Sequence, residues 1–458
     1  MNAELFKSAA SYSPIDSPTK EKKHKIAIIG GGISSICLAY QLFSLVPELD
    51  ITLYCSDESL GSRGSGNKQG AIYPLLQGGQ FSVLAELYDL CYPYSVDFYK
   101  QINSINVNFA HQWCGVLQQA FTPELVERLQ QIANEWPSHG QFISAEQSSH
   151  RANLALPFPS LYFKDGGWIW PQQFCQNTAK YLTANFNLSI KANTDISKLN
   201  QTEQDKWQLE SHAELIPCVF DQVAVCSGHL ANQYSQTQQF DIIPIRGQVS
   251  HLNPVSMASE LKTVLCHNGY MTPAHNQQQC FGATFERGNN NETSNPADNL
   301  KNLDQLQQVY EQQDWARQIT EHDIIGQNAA IRATSQDHHP IVGEVMSNYW
   351  VKDNVDQNNG KLKRLDKLKN VNRSLAAEDK KTKNSHNFAN ATHPNSDLHG
   401  LFIMTGLGAR GLTTAPLMAK HLASLMLNQQ SPLSDRLIKS VAPIRFQVRA
   451  LKRNKSKN

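Results

Sequence analysis

The chain of 458 residues carries 41 Lys and Arg against 40 Asp and Glu, so its formal charge is +1. A chain of this length buries a sizeable core without disulfide or metal staples. Its near-zero charge argues against a wholly basic nucleic-acid binder but leaves room for a local basic patch. Nine scattered cysteines without a Cys-x-x-Cys pair predict reduced thiols in a cytoplasmic protein and give no sign of a zinc site.

The first elements predict a βαβ unit. Residues 1–24 are polar and predict a disordered leader without a signal peptide. An apolar strand, Lys25–Ile29, stops at three glycines, and a helical pattern and a second strand at 50–55 follow. The apolar stretch 26–46 is long enough to span a membrane, but its glycines and polar residues favour a strand and a helix instead.

The turn after the first strand fits a dinucleotide-binding motif. Gly30, Gly32 and Ser35 are spaced as Gly-x-Gly-x-x-Ser, with Ser35 departing from the usual Gly or Ala. Such a turn places a pyrophosphate on the helix N-terminus. The acid that should grip the ribose is replaced by Cys55, so Asp57 is the nearest candidate, unless it is an ordinary loop charge. This turn alone leaves FAD and NAD both open.

Later segments predict a second domain and two polar regions. Several β-type runs between 244 and 285 are typical of an antiparallel sheet. Residues 346–399 are rich in Asn, Lys and Asp and predict an exposed insertion. Residues 436–458 form a tail rich in Lys and Arg and without acids.

Two further glycine-rich segments favour a flavin. Residues 64–71 follow the second strand, and residues 406–416 lie between a late strand and a long helix. A second helix N-terminus aimed at the cofactor suits the anionic edge of a reduced flavin. The alternative is that both are unrelated surface turns. Together with the end of a strand at Gly228, these segments give the predicted FAD-binding set: Gly30, Gly32, Ser35, Asp57, Ser65, Asn67, Gln69, Gly70, Gly228, Gly408, Gly411, Leu412 and Thr413.

Seven segments in a fixed order resemble the flavin-dependent amine oxidoreductases of the D-amino-acid oxidase and glycine oxidase superfamily. Within it, the chain is most similar to the oxidoreductase half of bifunctional enzymes that modify the wobble uridine of tRNA. The resemblance covers residues 25–427. Its carrying segments are 64–76, 112–116, 166–171, 246–251, 330–334, 337–343 and 406–412.

The resemblance implies an α/β fold, in which a doubly wound FAD-binding (Rossmann-like) domain is interrupted by an antiparallel-sheet α+β substrate domain. The expected FAD-binding segments are 25–94, 155–240 and 326–435, and the expected substrate segments are 95–154 and 241–325. It also implies a reaction, the oxidative removal of the carboxymethyl group from 5-carboxymethylaminomethyl-(2-thio)uridine, which leaves 5-aminomethyl-(2-thio)uridine and glyoxylate. The alternatives are a free glycine or sarcosine oxidase of the same fold and a non-catalytic flavin- or tRNA-binding protein.

Three residues are candidates for contact with the substrate. An N-substituted glycine presents a carboxylate, which arginine clamps well. The resemblance places Arg332 at the carboxylate-binding position, although a structural pairing with Asp337 is the alternative. Arg410 lies in the late glycine turn, where it contacts either the substrate or the reduced flavin, and Tyr270 either bonds the carboxylate or packs. Arg246 is as well suited to bracing the core as to the active site, and no metal site is expected.

The expected partners are tRNA and a methyltransferase, either separate or fused. Bifunctional relatives carry a methyltransferase domain ahead of this unit, and none is predicted in this sequence, so methyl transfer is not assigned to it. Two basic stretches, the insertion and the tail, would neutralise phosphates of tRNA, unless they only keep the protein solvated. No membrane partner is expected.

Overall fold

The computed structural model describes residues 23–78, 82–255, 257–354 and 397–455. Its chain forms two interleaved domains, each built on one large sheet. The predicted leader lies outside these residues up to position 22, as does the predicted insertion between 355 and 396. Among the helices described, none combines the length and apolar character of a membrane span.

The parallel-sheet domain is built on six strands, of which five run parallel. The glycine turn after the first strand lies near the centre of this sheet, because that strand pairs with neighbours on both sides. In spatial order the strands are β20 (Ile341–Glu344), β21 (Leu401–Thr405), β13 (Gln222–Val225), β1 (Lys25–Ile29), β2 (Asp50–Tyr54) and β9 (Leu188–Lys191), with β20 antiparallel.

The two faces of this sheet are covered differently. Alternate residues of β1, such as Ile26 and Ile28, face a helical layer, whereas Ala27 and Ile29 face a small antiparallel sheet. The helical layer comprises α1 (Ile33–Leu45), α2 (Val83–Ser104), α5 (Pro171–Asn185) and the helix Gly411–Met426, numbered α9 below. The small sheet comprises β10 (Ile196–Gln201), β11 (Trp207–Ser211) and β12 (Leu215–Phe220).

The large-sheet domain is built on nine strands. Its longest strands are antiparallel neighbours and carry much of the cleft described below. They are β14 (Ile242–Leu252) and β19 (Ile324–Ser335). The others are β5 (Val116–Gln119), β6 (Gln141–Ile143), β7 (Ser160–Phe163), β15 (Val264–Cys266), β16 (Tyr270–Met271), β17 (Gln279–Gly282) and β18 (Glu286–Arg287).

The remaining elements connect and cover the two domains. A three-stranded sheet comprises β3 (Gly70–Ile72), β8 (Gly167–Ile169) and β4 (His111–Gln112). The other helices are α3 (Pro123–Glu135), α4 (Ala145–Ala152), α6 (Pro296–Val309), α7 (Asp314–Arg317), α8 (Asn348–Asn354), α10 (Asp435–Val441) and α11 (Ile444–Lys455). Short 3₁₀ turns occur at Gly228–Asn232, Ala258–Glu260, Glu321–Asp323 and Gly408–Arg410.

Both large sheets take strands from separated parts of the chain. The predicted division into two interleaved domains stays a prediction, and its segments differ from the sheets and their helices at three places. Strand β7 and the whole of β19 pair within the nine-stranded sheet, although the sequence assigned 155–240 and 326–435 to the other domain. Helix α2, which reaches residue 104, packs against α9 in the parallel-sheet domain, although the sequence assigned residues from 95 onward to the substrate domain. Strands and amphipathic helices carry no local signal of which sheet they join, because strand pairing and packing are non-local.

Candidate active site

The first glycine turn brings strand, helix and neighbouring strand close together. Gly30 adopts a φ of +129°, and a Cβ added there would lie 2.5 Å from the carbonyl oxygen of Cys226. Helix α1 starts just beyond it and has no acidic residue in its first turn. Its leading residues, from Gly31 to Ser34, line a cleft. Backbone amides at such an end favour an anion.

A second helix N-terminus reaches the same cleft. Strand β21 ends at Thr405, the chain turns through 406–410, and α9 begins at Gly411 without an acid in its first turn. A backbone bridge between Thr334 and Leu407 fixes this turn to the end of β19. The two helix ends and the large sheet therefore face one space.

The cleft has a volume of about 470 Å³ and is lined by both domains. It brings together most of the residues predicted from the sequence to contact cofactor or substrate. Those that line it are Gly30, Gly32, Asp57, Ser65, Asn67, Gly70, Gly228, Tyr270, Arg332, Gly408, Arg410, Gly411 and Leu412.

Three predicted cofactor residues do not line the cleft. Ser35 is fully buried behind the turn, where its Oγ lies against Gly30. Gln69 donates to the Pro273 carbonyl over 3.0 Å and accepts from the Thr272 hydroxyl over 2.8 Å. Thr413 donates to the Tyr73 carbonyl over 3.1 Å. In this structure these side chains therefore support the cleft wall, and their predicted contact with the cofactor stays a prediction.

Asp57 lies in the cleft but is already engaged. Arg63, another cleft residue, donates from Nε to both carboxylate oxygens of Asp57 over 3.0 Å each. Arg63 also lies 3.5 Å from Glu292, which follows β18. The predicted ribose contact of Asp57 stays a prediction, and it would have to share the carboxylate with Arg63.

Unused polar groups and free space in the cleft fit a dinucleotide. The Ser227 hydroxyl and the Arg410 Nε are buried without a hydrogen-bond partner, and both residues line the cleft. Beside Ser227, a Cβ added to Gly228 would meet no atom within 4 Å. Two helix N-termini, two unused donors and this open space match a long ligand with a pyrophosphate, as FAD has.

Arg332 presents an uncompensated cation to the cleft. It lies on β19, where its guanidinium sits directly against Gly247 of the neighbouring strand. Burial and the nearby Arg410 lower the pKa of Arg332, and arginine stays protonated in proteins. Other arginines form ion pairs in the part of the chain that the structure describes, but Arg332 forms none.

The alternative pairing of Arg332 with Asp337 is not formed. The carboxylate of Asp337 instead accepts bonds from Arg445, over 3.0 and 3.1 Å, and from Arg449 over 2.6 Å. Burial raises the pKa of Asp337, but the bonds from Arg445 and from Ser335 outweigh this effect and hold it well below its usual range. Asp337 therefore belongs to a separate cluster at the end of β19.

Arg410 is held by an aromatic ring. Its guanidinium carbon lies 3.7 Å from the centre of the Tyr73 ring, a cation–π contact, and its Nε has no partner. The position beside the late glycine turn is compatible with either predicted role, contact with the substrate or with the flavin.

The hydroxyl of Tyr270 is engaged by the 64–71 segment. It accepts from Asn67 Nδ2 over 2.6 Å and donates to the Gln69 carbonyl over 3.3 Å. Burial raises its pKa, so it remains a neutral phenol. Tyr270 therefore joins the large sheet to the 64–71 segment, and its predicted contact with a carboxylate would require one of these bonds to be exchanged.

His267 was missed as a site residue. It lines the cleft, its Nδ1 accepts from the Gly269 amide over 3.1 Å, and its Nε2 is buried without a partner. Burial lowers its pKa to about 3, so the ring is neutral. With Nδ1 accepting, Nε2 carries the proton. A lone histidine three residues before Tyr270 gives no sequence signal of such a role.

Two other expectations are resolved outside the cleft. Arg246 forms a buried ion pair with Asp298 over 2.5 Å, so its role is to brace the core. The predicted basic tail is largely helical up to residue 455, and Arg436, Arg445 and Arg449 pair with acids. These three bases are therefore already paired with acids from distant segments, and contact of the tail with tRNA phosphates stays a prediction. No group of three or more His, Cys, Asp or Glu suited to a metal ion occurs among the described residues.

The fold and the cleft define a dinucleotide-binding oxidoreductase. The chain belongs to the FAD dependent oxidoreductase family, whose model matches residues 25–425. The predictions of the fold, of FAD as cofactor and of an oxidoreductase are thereby confirmed.

Among curated proteins, the chain is similar to the "tRNA 5-methylaminomethyl-2-thiouridine biosynthesis bifunctional protein MnmC" of several bacteria. The protein from Pseudoalteromonas translucida is 34% identical over 433 residues, covering 94% of this chain and 60% of that protein. The one from Shewanella frigidimarina is 32% identical over 458 residues, covering 97% and 61%. The chain thus spans about 60% of the length of these relatives.

Solved structures share the fold. Glycine oxidase from Geobacillus kaustophilus superposes with a TM-score of 0.66 at 16% identity, covering 92% of this chain and 98% of that one. L-proline dehydrogenase from P. horikoshii gives the same TM-score at 14% identity, with coverages of 93% and 98%.

Proposed function

We propose that this chain oxidatively removes the carboxymethyl group from 5-carboxymethylaminomethyl-(2-thio)uridine at the wobble position of tRNA. The products are 5-aminomethyl-(2-thio)uridine and glyoxylate. The similarity to proteins named for 5-methylaminomethyl-2-thiouridine biosynthesis in tRNA supports this substrate. Cytoplasmic location and a separate or fused methyltransferase, which would methylate the exposed amine, are part of the proposal.

The observation that carries the proposal is the uncompensated guanidinium of Arg332. The reacting group is an N-substituted glycine, whose carboxylate matches the fork of an arginine. An arginine in a cleft without an acidic partner is costly to desolvate, and an anionic substrate removes that cost. A carboxylate held by Arg332 would orient the adjacent carbon toward the two glycine turns.

The reaction balances without a catalytic metal. The amine loses a proton to water, and the carbon between nitrogen and carboxylate gives up a hydride, so that a C=N bond forms. Water then adds to this bond, and the C–N bond breaks to release the primary amine and glyoxylate. FAD, when bound, supplies the acceptor for the two electrons. The residues of the chain would hold the carboxylate at Arg332, and the half-buried Tyr270 and His267 line the same cleft.

Nucleoside analysis tests the proposal in the cell. We expect tRNA from a strain without this gene to accumulate the carboxymethylaminomethyl nucleoside, and the wild-type gene to restore its conversion. An unchanged nucleoside profile would refute the proposal.

A free amino-acid oxidase is the competing function. With purified protein, we expect carboxymethylaminomethyl-containing tRNA to bleach the yellow flavin under anaerobic conditions. Glycine and sarcosine should release little hydrogen peroxide in air. Robust turnover of either amino acid would favour the competing function, and failure of the tRNA to bleach the flavin would point to a non-catalytic protein.

A further inference from the structure

An aromatic side chain stands exposed near the cleft. Phe285 is 64% exposed, which is unusual for a large apolar residue next to a cleft. Its neighbours Gly282 and Ala283 line the cleft. Directly after it, β18 pairs with β14 on one side and has no second neighbour among the strands described, so Phe285 lies at an open edge of the sheet.

Strand register places Phe285 on the same face as Arg332. In β18, Arg287 pairs with Ile245 of β14, which in turn pairs with Arg332 of β19. Three positions further along, Thr284 donates its backbone N–H to the Gln248 carbonyl over 3.1 Å, so Phe285 lies next to Gly247. Paired residues share a face of a sheet and successive residues alternate. Phe285, Arg287 and Arg332 therefore share the cleft face.

Gly247 leaves the space between them open. A Cβ at this position would lie 2.6 Å from Arg332 Nη1, so only a glycine lets the guanidinium rest there. The backbones of Phe285 and Arg332 lie on opposite sides of β14. Because the guanidinium of Arg332 lies over Gly247 of β14, it is one strand spacing, about 4.8 Å, from the backbone of Phe285. Gly247 thus brings the two groups within reach of one ligand.

This separation matches the proposed substrate. In 5-carboxymethylaminomethyluridine, four single bonds of about 1.5 Å join the carboxyl carbon to the uracil ring, a span of about 5 Å when extended. Exposed nucleobases stack on aromatic side chains. Building on the proposed function, we infer that Phe285 is the platform on which the modified uracil stacks while Arg332 holds its carboxylate.

Arg287 completes this rim with a phosphate contact. Two residues beyond Phe285 on the same face, it is exposed, and among the described residues it has no ion pair or hydrogen bond. By contrast Glu286, on the opposite face, lies 3.3 Å from Lys301. A free cation next to a stacking ring suits the backbone of a single-stranded anticodon loop.

The test compares two ligands on single variants. Dissociation constants are obtained from flavin reduction kinetics with carboxymethylaminomethyl-containing tRNA and with the free nucleoside, which has no phosphate. Phe285→Ala should raise both constants about 10-fold, whereas Phe285→Trp should keep them near the wild-type values. Arg287→Ala should raise only the constant for tRNA, and should reduce the salt dependence of tRNA binding by about one counterion.

Matched controls come from the sheet β10–β12, none of whose residues lines the cleft. Leu215→Ala removes a 58% exposed apolar side chain, and Lys198→Ala removes an exposed cation. Flavin content reports folding for every variant.

The outcomes separate two failures. If the wild-type flavin is reduced by both ligands but Phe285→Ala behaves like Leu215→Ala, the stacking inference is overturned and the proposed function survives. A loss confined to tRNA in Phe285→Ala also overturns it, because the modified uracil is present in both ligands. If neither ligand reduces the wild-type flavin, the proposed function fails and the inference fails with it.

Discussion

The two faces of the nine-stranded sheet use the same residue types for opposite purposes. On the face toward α6, Arg246 donates from three nitrogens to Asp298, Asn291 and Thr293 over 2.5 to 2.8 Å. On the cleft face, Arg332 has no acidic partner among the described residues. Arg246 is neutralised within the protein, whereas Arg332 is left to bind an anionic ligand. The face that carries Arg332 is therefore the face of the candidate site.

The largest effect is expected from removing the unsatisfied cation. Arg332→Ala should retain FAD but lose about 1000-fold in the rate of flavin reduction by the substrate, since truncating one partner of a buried charge pair costs about 4 kcal/mol. Anaerobic stopped-flow absorbance measures this rate. Arg332→Lys keeps the charge but not the planar guanidinium, so its rate of flavin reduction should lie between those of the wild type and the alanine variant. Wild-type kinetics in the alanine variant would contradict the clamp.

The satisfied face should respond in stability instead. Arg246→Ala should lower the free energy of unfolding by about 3 kcal/mol, because it leaves the buried Asp298 carboxylate with only Lys301. Urea unfolding measures the change. The double variant Arg246→Met with Asp298→Leu should recover most of it. If Arg246→Ala is as stable as the wild type, the idea that the Arg246–Asp298 pair stabilises the fold is contradicted.

Acid should lower the free energy of unfolding through two histidines on the cleft side, His251 and His267. Burial lowers the pKa of His267 to about 3, and burial with the nearby Lys68 lowers that of His251 to about 4. In the unfolded chain each histidine has a pKa of about 6.5, so below that pH the unfolded state binds more protons than the folded state. The contribution of the two neutral histidines to stability is therefore complete above pH 6.5 and is lost as the pH falls. Between pH 7 and 5 each histidine should cost at most about 2 kcal/mol in unfolding free energy. His267→Leu should flatten the profile, and an unchanged slope would contradict this.

The smallest effect is expected from the engaged hydroxyl. Tyr270→Phe removes the bonds to Asn67 and Gln69 but keeps the ring, so substrate reduction should slow by only about 5-fold, as a net hydrogen bond of about 1 kcal/mol implies. The same stopped-flow measurement applies. A loss as large as that of Arg332→Ala would mean that Tyr270 holds the carboxylate directly.

Local patterns predicted the parts of the site that depend on neighbours in sequence. The turn at Gly30 and the turn at Gly408 follow strands and open helices, and both reach the cleft. What the sequence could not give is register and long-range pairing. Whether Arg246 or Arg332 faces the ligand depends on which side of the sheet each residue takes. The unpartnered Nε2 of His267 likewise depends on what packs around it.

Long-range packing also decides where the side chains of the expected segments lie. Gln69 and Ser35 lie in the expected segments, but their polar atoms turn inward to support the wall. The acid that neutralises Arg445 is Asp337, far away in the chain. No periodicity or spacing in the sequence predicts an ion pair between residues so far apart.

The ion-pair cluster at Asp337 has a consequence for synthesis on the ribosome. It joins α11 to the chain just beyond β19, the strand that carries Arg332. Its members Asp337 and Arg445 are 108 residues apart. At about 5–20 residues per second, translation needs about 5 to 20 s to produce the second partner after the first. During that interval the strand with the substrate arginine is made but not yet fastened, so the finished cleft is a late product of the nascent chain.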